Sequence, residues 1–465
     1  MELKGKKCIV VGGGKSGISA ARFLLSKGAS VTINDRASLE GLKELEGLGV
    51  LLEGGSHSSS FFEGKDVVVV SPGVPTDIEP LSTILAEAEK SGAEIISEIE
   101  LASRFISAPI IAIAGTNGKS TTTAFIGELL GNSGKEVFVG GNIGIPLTEY
   151  LLEGGSADYI VLEVSSFQLE RISTFKPYIS ILLNITADHL DRYKSMDEYV
   201  AAKKQLFMNQ DGNDYAIANV TDEIISAFVP QIKAHLIPLG GTNESGEGIY
   251  LSGDAIVVKA ENIKSEVSLS QIRCSAISHV ENVMAALGVA AICSVSEKVF
   301  TETLKSFKGL SHRMELVARA GGISFYDDSK ATNVGAVNKT LEGIDGKVVL
   351  IAGGKDKGGS YEPLKTVVKD KVRVLILIGE AANAIEAAIG SEVETVRASS
   401  MDDAVMKALD KALDGDSVVL SPACSSFDMF SDFAERGRVF KASVFSRVAD
   451  EKMTLAHEEE VPLAG

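Results

Sequence analysis

The sequence predicts an α/β protein of three domains, with mostly parallel sheets, and three observations predict it. An apolar, β-rich run enters a glycine loop three times along the chain, in "CIVVGGGKSG", "IIAIAGTNGKS" and "VVLIAGGKDKGG". Each reads as a buried parallel strand followed by a turn. The first two loops lead into segments of helical periodicity, "AARFLLSKG" and "TTTAFIGELLGNSG". At 465 residues the chain has room for about three domains of roughly 150 residues.

The bulk composition narrows the function classes. Apolar residues make up 45% and charged residues 23%, an ordinary globular mix that excludes disorder and fibrous repetition. A net charge of −18 without clustered Lys or Arg argues against a nucleic-acid surface. The opening "MELKGKKCIVVGGG" has too short an apolar run for a signal peptide, and no apolar stretch reaches spanning length. A cytoplasmic protein without membrane insertion is expected. Cys8, Cys274, Cys293 and Cys424 lie far apart with no C-x-x-C pair, which fits small buried side chains in a reducing compartment rather than a thiolate metal site.

Two breaks in pattern divide the chain. The first lies near Arg104 to Pro109, where a helix-like segment meets a proline and a new strand. The second lies near Gly309 to Arg313, after the helical "HVENVMAALGVAAI" and a short second helix. The expected domains are therefore 1–106, 107–310 and 311–465.

In the first domain, Gly12 to Gly17 match G-x-G-x-x-G, and Asp35 closes the next strand "SVTIND". Glycines allow close backbone approach to a pyrophosphate, and an acid about 20 positions on can take a ribose hydroxyl. A nicotinamide-dependent oxidoreductase would use this loop; a glycine-rich turn without ligand is the alternative. The second domain opens with "AIAGTNGKST", residues 112–121. The strict phosphate-loop pattern would need glycine where Ile113 stands. Gly115 and Gly118 still permit a tight loop, and Ile113 belongs to the strand. Gly115, Thr116, Asn117, Gly118, Lys119, Ser120 and Thr121 supply backbone N–H groups, a lysine and hydroxyls at a helix start, as triphosphate and Mg²⁺ binding requires. A dehydrogenase needs the first loop but not the second; a regulatory protein that hydrolyses ATP slowly would need the second but no ligation substrates.

Strands are also expected in "DYIVLEVSSFQ" and "PYISILLNITADHLD". Ligands of open parallel sheets sit outside the carboxyl ends of the strands, so Lys119, Glu163 and His189 are expected to converge on one crevice. Glu163 can serve as a Walker-B-like Mg²⁺ ligand or as a helix-capping or salt-bridged acid. His189 alone fits a satisfied loop histidine equally well. Lys203 sits beside Val200 and Phe207 at helical spacing, where the default is a snorkelling side chain. In the last domain "SHRMELV", "DDSKATN", "GGKDKGG" and "SPACSSFDMF" read as loops. Their Arg313, Lys330 and Lys357 could meet a multiply anionic ligand or remain solvated charges.

The segments "GTNGKST", "EVSSFQLE", "NITADHLDRY", "AAK", "HRME", "DDSKATN" and "LSPACSSFDMFSDFAERG", in this order, resemble the Mur ligase family of peptidoglycan synthesis. "SSFQLE", "DDSKATN" and "SPACSSFD" mark the branch that adds D-glutamate to UDP-N-acetylmuramoyl-L-alanine. The resemblance implies a Rossmann-like N-terminal domain, a central P-loop ATPase and a Rossmann-like C-terminal domain that closes over ATP. It implies ATP and two Mg²⁺ ions, an acyl-phosphate intermediate, and a chain acting as a monomer. It reassigns the first glycine loop to the uridine diphosphate, with Ser16, Asp35, Arg36 and Gly73 near it. Lys119 would meet the β- and γ-phosphates, and Ser120 and Glu163 the Mg²⁺. Asn142 and His189 would hold the muramoyl substrate and metal. Lys203 falls on the lysine that is carbamylated in the family to buttress a second Mg²⁺. Asn282 would contact adenine, Asp328 the ribose and Arg313 the phosphates. Lys330, Thr332, Lys357, Ser426 and Phe433 would surround D-glutamate. The chain departs from the usual pattern at "SHVEN", with Ser278 and His279 beside the adenine-side asparagine.

Overall fold

A computed structural model of the chain describes residues 1–189, 192–241, 246–260, 263–268, 270, 279–448 and 454–455. Cys274 and Ser278 lie outside them. The described residues form three sheets. The first has the order β3-β2-β1-β4-β5, from β1 (Lys7–Val11), β2 (Ser30–Asp35), β3 (Leu51–Gly54), β4 (Val67–Val70) and β5 (Glu94–Ser97), all parallel. Chain order reverses between β1 and β4. That switch point leaves a crevice at their carboxyl ends, beside the Gly12–Gly17 loop.

The second sheet takes β6 (Ile110–Ala114), β7 (Val137–Gly141), β8 (Tyr159–Glu163), β9 (Ile179–Leu182), β10 (Tyr215–Asn219), β11 (His235–Leu239), β12 (Gly248–Ser252), β13 (Ala255–Ala260) and β14 (Ile263–Ser268). Its order is β14-β13-β12-β11-β10-β9-β6-β8-β7. Pairing is parallel from β7 through β12 and antiparallel from β12 to β14. The phosphate-loop strand β6 lies between β8 and β9. Its alternate residues serve both faces: Ile111 and Ile113 join one buried cluster, Ile110, Ala112 and Ala114 the other. This period of two on a doubly covered strand is why the run is apolar at every position. Each fully buried Ile contributes about 1.5–3 kcal/mol. Ile113, which breaks the strict loop pattern, is a wholly buried strand residue.

The third sheet takes β15 (Glu315–Ala320), β16 (Ile323–Asp327), β17 (Val348–Gly353), β18 (Val372–Ile378), β19 (Glu394–Arg397), β20 (Ser417–Leu420) and β21 (Thr454–Leu455), in the order β19-β18-β17-β20-β16-β15-β21. Only the β15 pairings are antiparallel. A mixed α/β architecture with three mostly parallel sheets agrees with the fold class that the sequence predicts.

The chain divides into two compact units, Met1–Ile185 with Arg192–Phe307, and Thr186–Asp191 with Lys308–Gly465. Inside the first unit, helix Glu98–Ser103 carries two buried acids that tie the first two sheets together. Glu98 accepts from the backbone N–H of Thr148 at 2.6 Å and lies 2.8 Å from its hydroxyl. Glu100 accepts from the N–H groups of Ser173, Thr174 and Phe175 at 2.8–3.1 Å and from Arg104 Nε at 2.8 Å. Burial pushes the Glu100 pKa up, but these bonds together outweigh it and hold the carboxyl below its ordinary value. No helix among the described residues is long and apolar enough to cross a membrane.

Candidate functional site

The phosphate loop leaves β6 at Ala114 and enters helix Lys119–Asn132 through Gly118, whose φ of +87° suits glycine. A Cβ there would lie 2.5 Å from Asn282 Oδ1. The loop glycine and the predicted adenine-side asparagine, buried on helix Val280–Ile292, thus pack together. Asn184, just beyond β9, pins the loop from below. Its Oδ1 accepts from Asn117 N at 2.8 Å and Thr116 N at 3.2 Å, and its Nδ2 donates to Asn117 O at 3.1 Å. Lys119 Nζ donates to the carbonyls of Gly115 and Thr116, each at 2.9 Å. Thr121 is half-buried on the first turn of the same helix.

Glu163 ends β8, next to β6, and is 2% exposed. Its Oε2 accepts from the Ser120 hydroxyl and its Oε1 from Asn142 Nδ2 at 2.7 Å. The acid therefore lies against the residue that follows Lys119, on a helix N-terminus, with oxygen groups that suit a hard divalent cation. Lys203 departs from the snorkelling default. It is 2% exposed on helix Met196–Lys204, donates to Gly115 O at 2.9 Å and lies 4.6 Å from the Tyr199 ring centre. Its Nζ turns inward because the loop carbonyl and the ring offer a polar and an aromatic partner beneath the helix. Tyr199 OH lies 3.1 Å from Thr116 Oγ1, so the phosphate loop, the lysine helix and Glu163 form one buried assembly.

A cavity of about 560 Å³ opens at the β1/β4 switch point. Ser16, Asp35, Arg36, Gly73 and Asn142, all expected at the sugar nucleotide, line it. Gly17 holds the helix start against the strand: a Cβ there would lie 1.9 Å from Gly12 O. Asp35 shapes the loop with both oxygens, accepting from Gly13 N at 2.7 Å and Ala37 N at 2.8 Å. Lys15 reaches the carbonyl of Gly144, in the loop that carries Asn142. His57, also in the wall, lies 2.6 Å from Asn34 Oδ1, and burial lowers its pKa. Asn142 belongs to this cavity and bonds Glu163, so the cavity and the acid are contiguous within the first unit.

In the second unit the loops after β16, β17 and β20 meet at the carboxyl edge of the third sheet. Lys355 N donates to Ser425 O and Gly353 N to Pro422 O, each at 2.9 Å. Arg436, fully buried, clips two of these loops together: it donates to Ser329 Oγ at 2.9 Å, Ser329 O at 2.8 Å, and the carbonyls of Cys424 and Ser425 at 3.1 Å. Lys330 Nζ lies 3.8 Å from the centre of the Phe433 ring. Thr332 N donates to Lys330 O at 2.8 Å, and Ser426 is 2% exposed. Asp328 is buried and accepts from Thr340 Oγ1 at 2.6 Å and Ser421 Oγ at 2.8 Å. Burial raises its pKa to about 6, against these bonds and the charge of Arg313. His189 belongs to this unit, apart from the unit of Lys119 and Glu163. Its Nε2 lies 3.7 Å from Asp188 Oδ2. Asp188 in turn accepts from Asn333 Nδ2 at 3.0 Å and lies 3.9 Å from Lys357 Nζ.

Sequence reasoning passed over Asn184, Asp188, Tyr199 and Arg436. "NITADH" offered a signal for the first two, since polar residues following a buried strand at its carboxyl end are site candidates. Nothing local marks Tyr199 or Arg436.

Residues 6–97 match the Mur ligase MurD-like N-terminal domain, 113–290 the Mur ligase middle domain, and 312–424 the Mur ligase glutamate ligase domain. The first match covers the glycine loop that also fits a dinucleotide site. The chain is 46% identical over 448 residues to the UDP-N-acetylmuramoylalanine–D-glutamate ligase of Geotalea daltonii, covering 96% of this chain and 98% of that protein. It is 44% identical to the ligase of the same name from Geobacter metallireducens, with the same coverage. Among solved structures, the MurF ligase of Thermotoga maritima in complex with ADP superposes with a TM-score of 0.58 at 16% identity, covering 96% of each chain. The UDP-N-acetylmuramate-alanine ligase of Thermotoga maritima gives 0.55 at 18% identity, covering 95% of this chain and 99% of that one; both likenesses concern the fold. With three consecutive domain matches and relatives aligned over nearly their whole length, the chain belongs to the Mur ligase family.

Proposed function

We propose that the chain catalyses ATP-dependent addition of D-glutamate to UDP-N-acetylmuramoyl-L-alanine, an amide-bond-forming step of peptidoglycan precursor synthesis. The observation that carries this reading is the bond from Asn142 to Glu163, because it joins a cavity of nucleotide size to a phosphate loop. The names of the relatives supply the amino acid and the sugar nucleotide.

A carboxylate is a poor electrophile, so the alanyl carboxylate is first phosphorylated by ATP; the amine of D-glutamate then attacks the acyl phosphate and phosphate leaves. Lys119, which donates to two loop carbonyls, would exchange them for β- and γ-phosphate oxygens. Gly115 to Thr121 cradle the phosphates, those at the helix start through backbone N–H groups, and Asn282 marks the adenine side. Ser120 and Glu163 would hold one Mg²⁺, a carbamylated Lys203 would buttress a second, and His189 would help hold the substrate and metal; the ions neutralise charge on the transferring phosphoryl group. Ser16, Asp35, Arg36, Gly73 and Asn142 bind the sugar nucleotide. Arg313 is assigned to the phosphates of ATP and Asp328 to its ribose, and Lys330, Thr332, Lys357, Ser426 and Phe433 to D-glutamate. The domains 1–106, 107–310 and 311–465 divide these tasks in a cytoplasmic monomer.

The test is phosphate release with ATP and UDP-N-acetylmuramoyl-L-alanine, adding D-glutamate, L-glutamate, L-lysine or meso-diaminopimelate in turn. D-Glutamate alone should stimulate release stoichiometric with ligated product. Stimulation by another amino acid, or release indifferent to all four, would overturn the reading.

A further inference from the structure

Arg192 begins the part of the first unit that resumes after the segment holding His189, and it lies outside every role assigned above. Its guanidinium stacks over the Phe167 ring, 4.2 Å from the ring centre. Phe167 belongs to the short helix that follows the strand ending in Glu163. From this platform Arg192 Nη2 donates to Val74 O at 2.8 Å and Nη1 to Pro72 O at 3.3 Å, while Nε lies 3.9 Å from Asp77. The side chain is 15% exposed.

Both carbonyls flank Gly73, in the wall of the switch-point cavity. Gly73 lies in a turn closed by Val74 N donating to Ser71 O at 3.1 Å. A glycine turn on a cavity rim is conformationally free unless its carbonyls are held. A planar, forked cation seated on an aromatic face can hold two carbonyls at once, whereas a lysine cannot reproduce the fork. We propose that Arg192 is a positioning residue for sugar-nucleotide binding, which fixes the Pro72–Val74 wall against the element that follows Glu163. This rests on the reading of the cavity as the sugar-nucleotide site. The bonds, ion pair and ring contact described for Arg192 go to Pro72, Val74, Asp77 and Phe167, all outside the phosphate loop, so ordering this wall changes affinity for the sugar nucleotide and leaves ATP affinity alone.

The experiment compares wild type, Arg192→Lys and Arg192→Ala by calorimetric titration with UDP-N-acetylmuramoyl-L-alanine and, separately, with a non-hydrolysable ATP analogue. Melting temperature is recorded for each, and the alanine variant is titrated again with millimolar guanidinium present. Both variants should lose about tenfold in sugar-nucleotide affinity, a modest share of the charge-assisted bonds removed, with analogue affinity kept. Guanidinium should restore part of the loss in Arg192→Ala. Unchanged sugar-nucleotide affinity overturns the proposal, and so does equal loss of both affinities with a lowered melting temperature. Absence of sugar-nucleotide binding by wild type would instead overturn the reading of the cavity.

Discussion

Replacing Asn184 with alanine tests how much of the ATP site is prepared before ATP arrives. The side chain makes three bonds to the phosphate loop, to Thr116 N, Asn117 N and Asn117 O. Thr116 N also donates to the backbone carbonyl of Asn184 at 2.9 Å, and that bond survives the substitution. The change therefore removes the bonds that the side chain makes to the N–H and the carbonyl of Asn117. At about 0.5–1.5 kcal/mol net for each bond, the ordered loop loses about 1–3 kcal/mol. A binding-competent loop populated less often weakens apparent affinity in proportion, so the Kd for a non-hydrolysable ATP analogue should rise about 5- to 150-fold. Sugar-nucleotide affinity should hold, since Asn184 does not line that cavity. Asn184→Asp should do worse than alanine. It keeps the acceptor for Asn117 N but turns an oxygen towards Asn117 O and brings a negative charge beside the triphosphate. Calorimetric titration of both ligands reads the outcome. Wild-type nucleotide affinity in a folded Asn184→Ala protein would refute the argument that this side chain prepares the loop.

Lys203→Ala should be nearly inactive, with activity partly restored by added short-chain carboxylic acids that fill the vacated space; a fully active variant would return the lysine to a packing role. Glu100→Gln should destabilise the first unit by about 3–5 kcal/mol, because the carboxylate faces only donors and an amide nitrogen strands at least one of them. Urea unfolding checks this, and a loss below about 1 kcal/mol would contradict the bond network. Asp328 has a folded pKa of about 6, raised from 3.8. Its contribution to stability is therefore fully present below the unfolded value and lost as pH rises through about 6, a change of about 3 kcal/mol. Asp328→Asn escapes that loss, so its stability relative to wild type should climb across this window. A difference independent of pH would show that Asp328 does not titrate there.

Much of the architecture was legible along the chain. "CIVVGGG", "IIAIAG" and "VVLIAGG" became β1, β6 and β17, each flanked by a strand on both sides, because apolar runs bounded by glycine report doubly buried strands through neighbours adjacent in sequence. The loops that follow them were readable for the same reason: a glycine turn entering a helix is a local event. The burial of Lys203 was not legible. Its partner Gly115 is 88 positions away, and a lysine near apolar helix neighbours looks the same whether it reaches water or turns inward. Asn184 meets the phosphate loop across 67 positions, and Arg436 meets Ser329 across 107. What the sequence by itself determined was the periodicity of its elements and the turns between them, since both depend on residues a few positions apart. The tertiary structure alone decided which polar side chains would be taken out of water and which loop each would hold, because a buried donor must find its acceptor wherever the packed strands bring one.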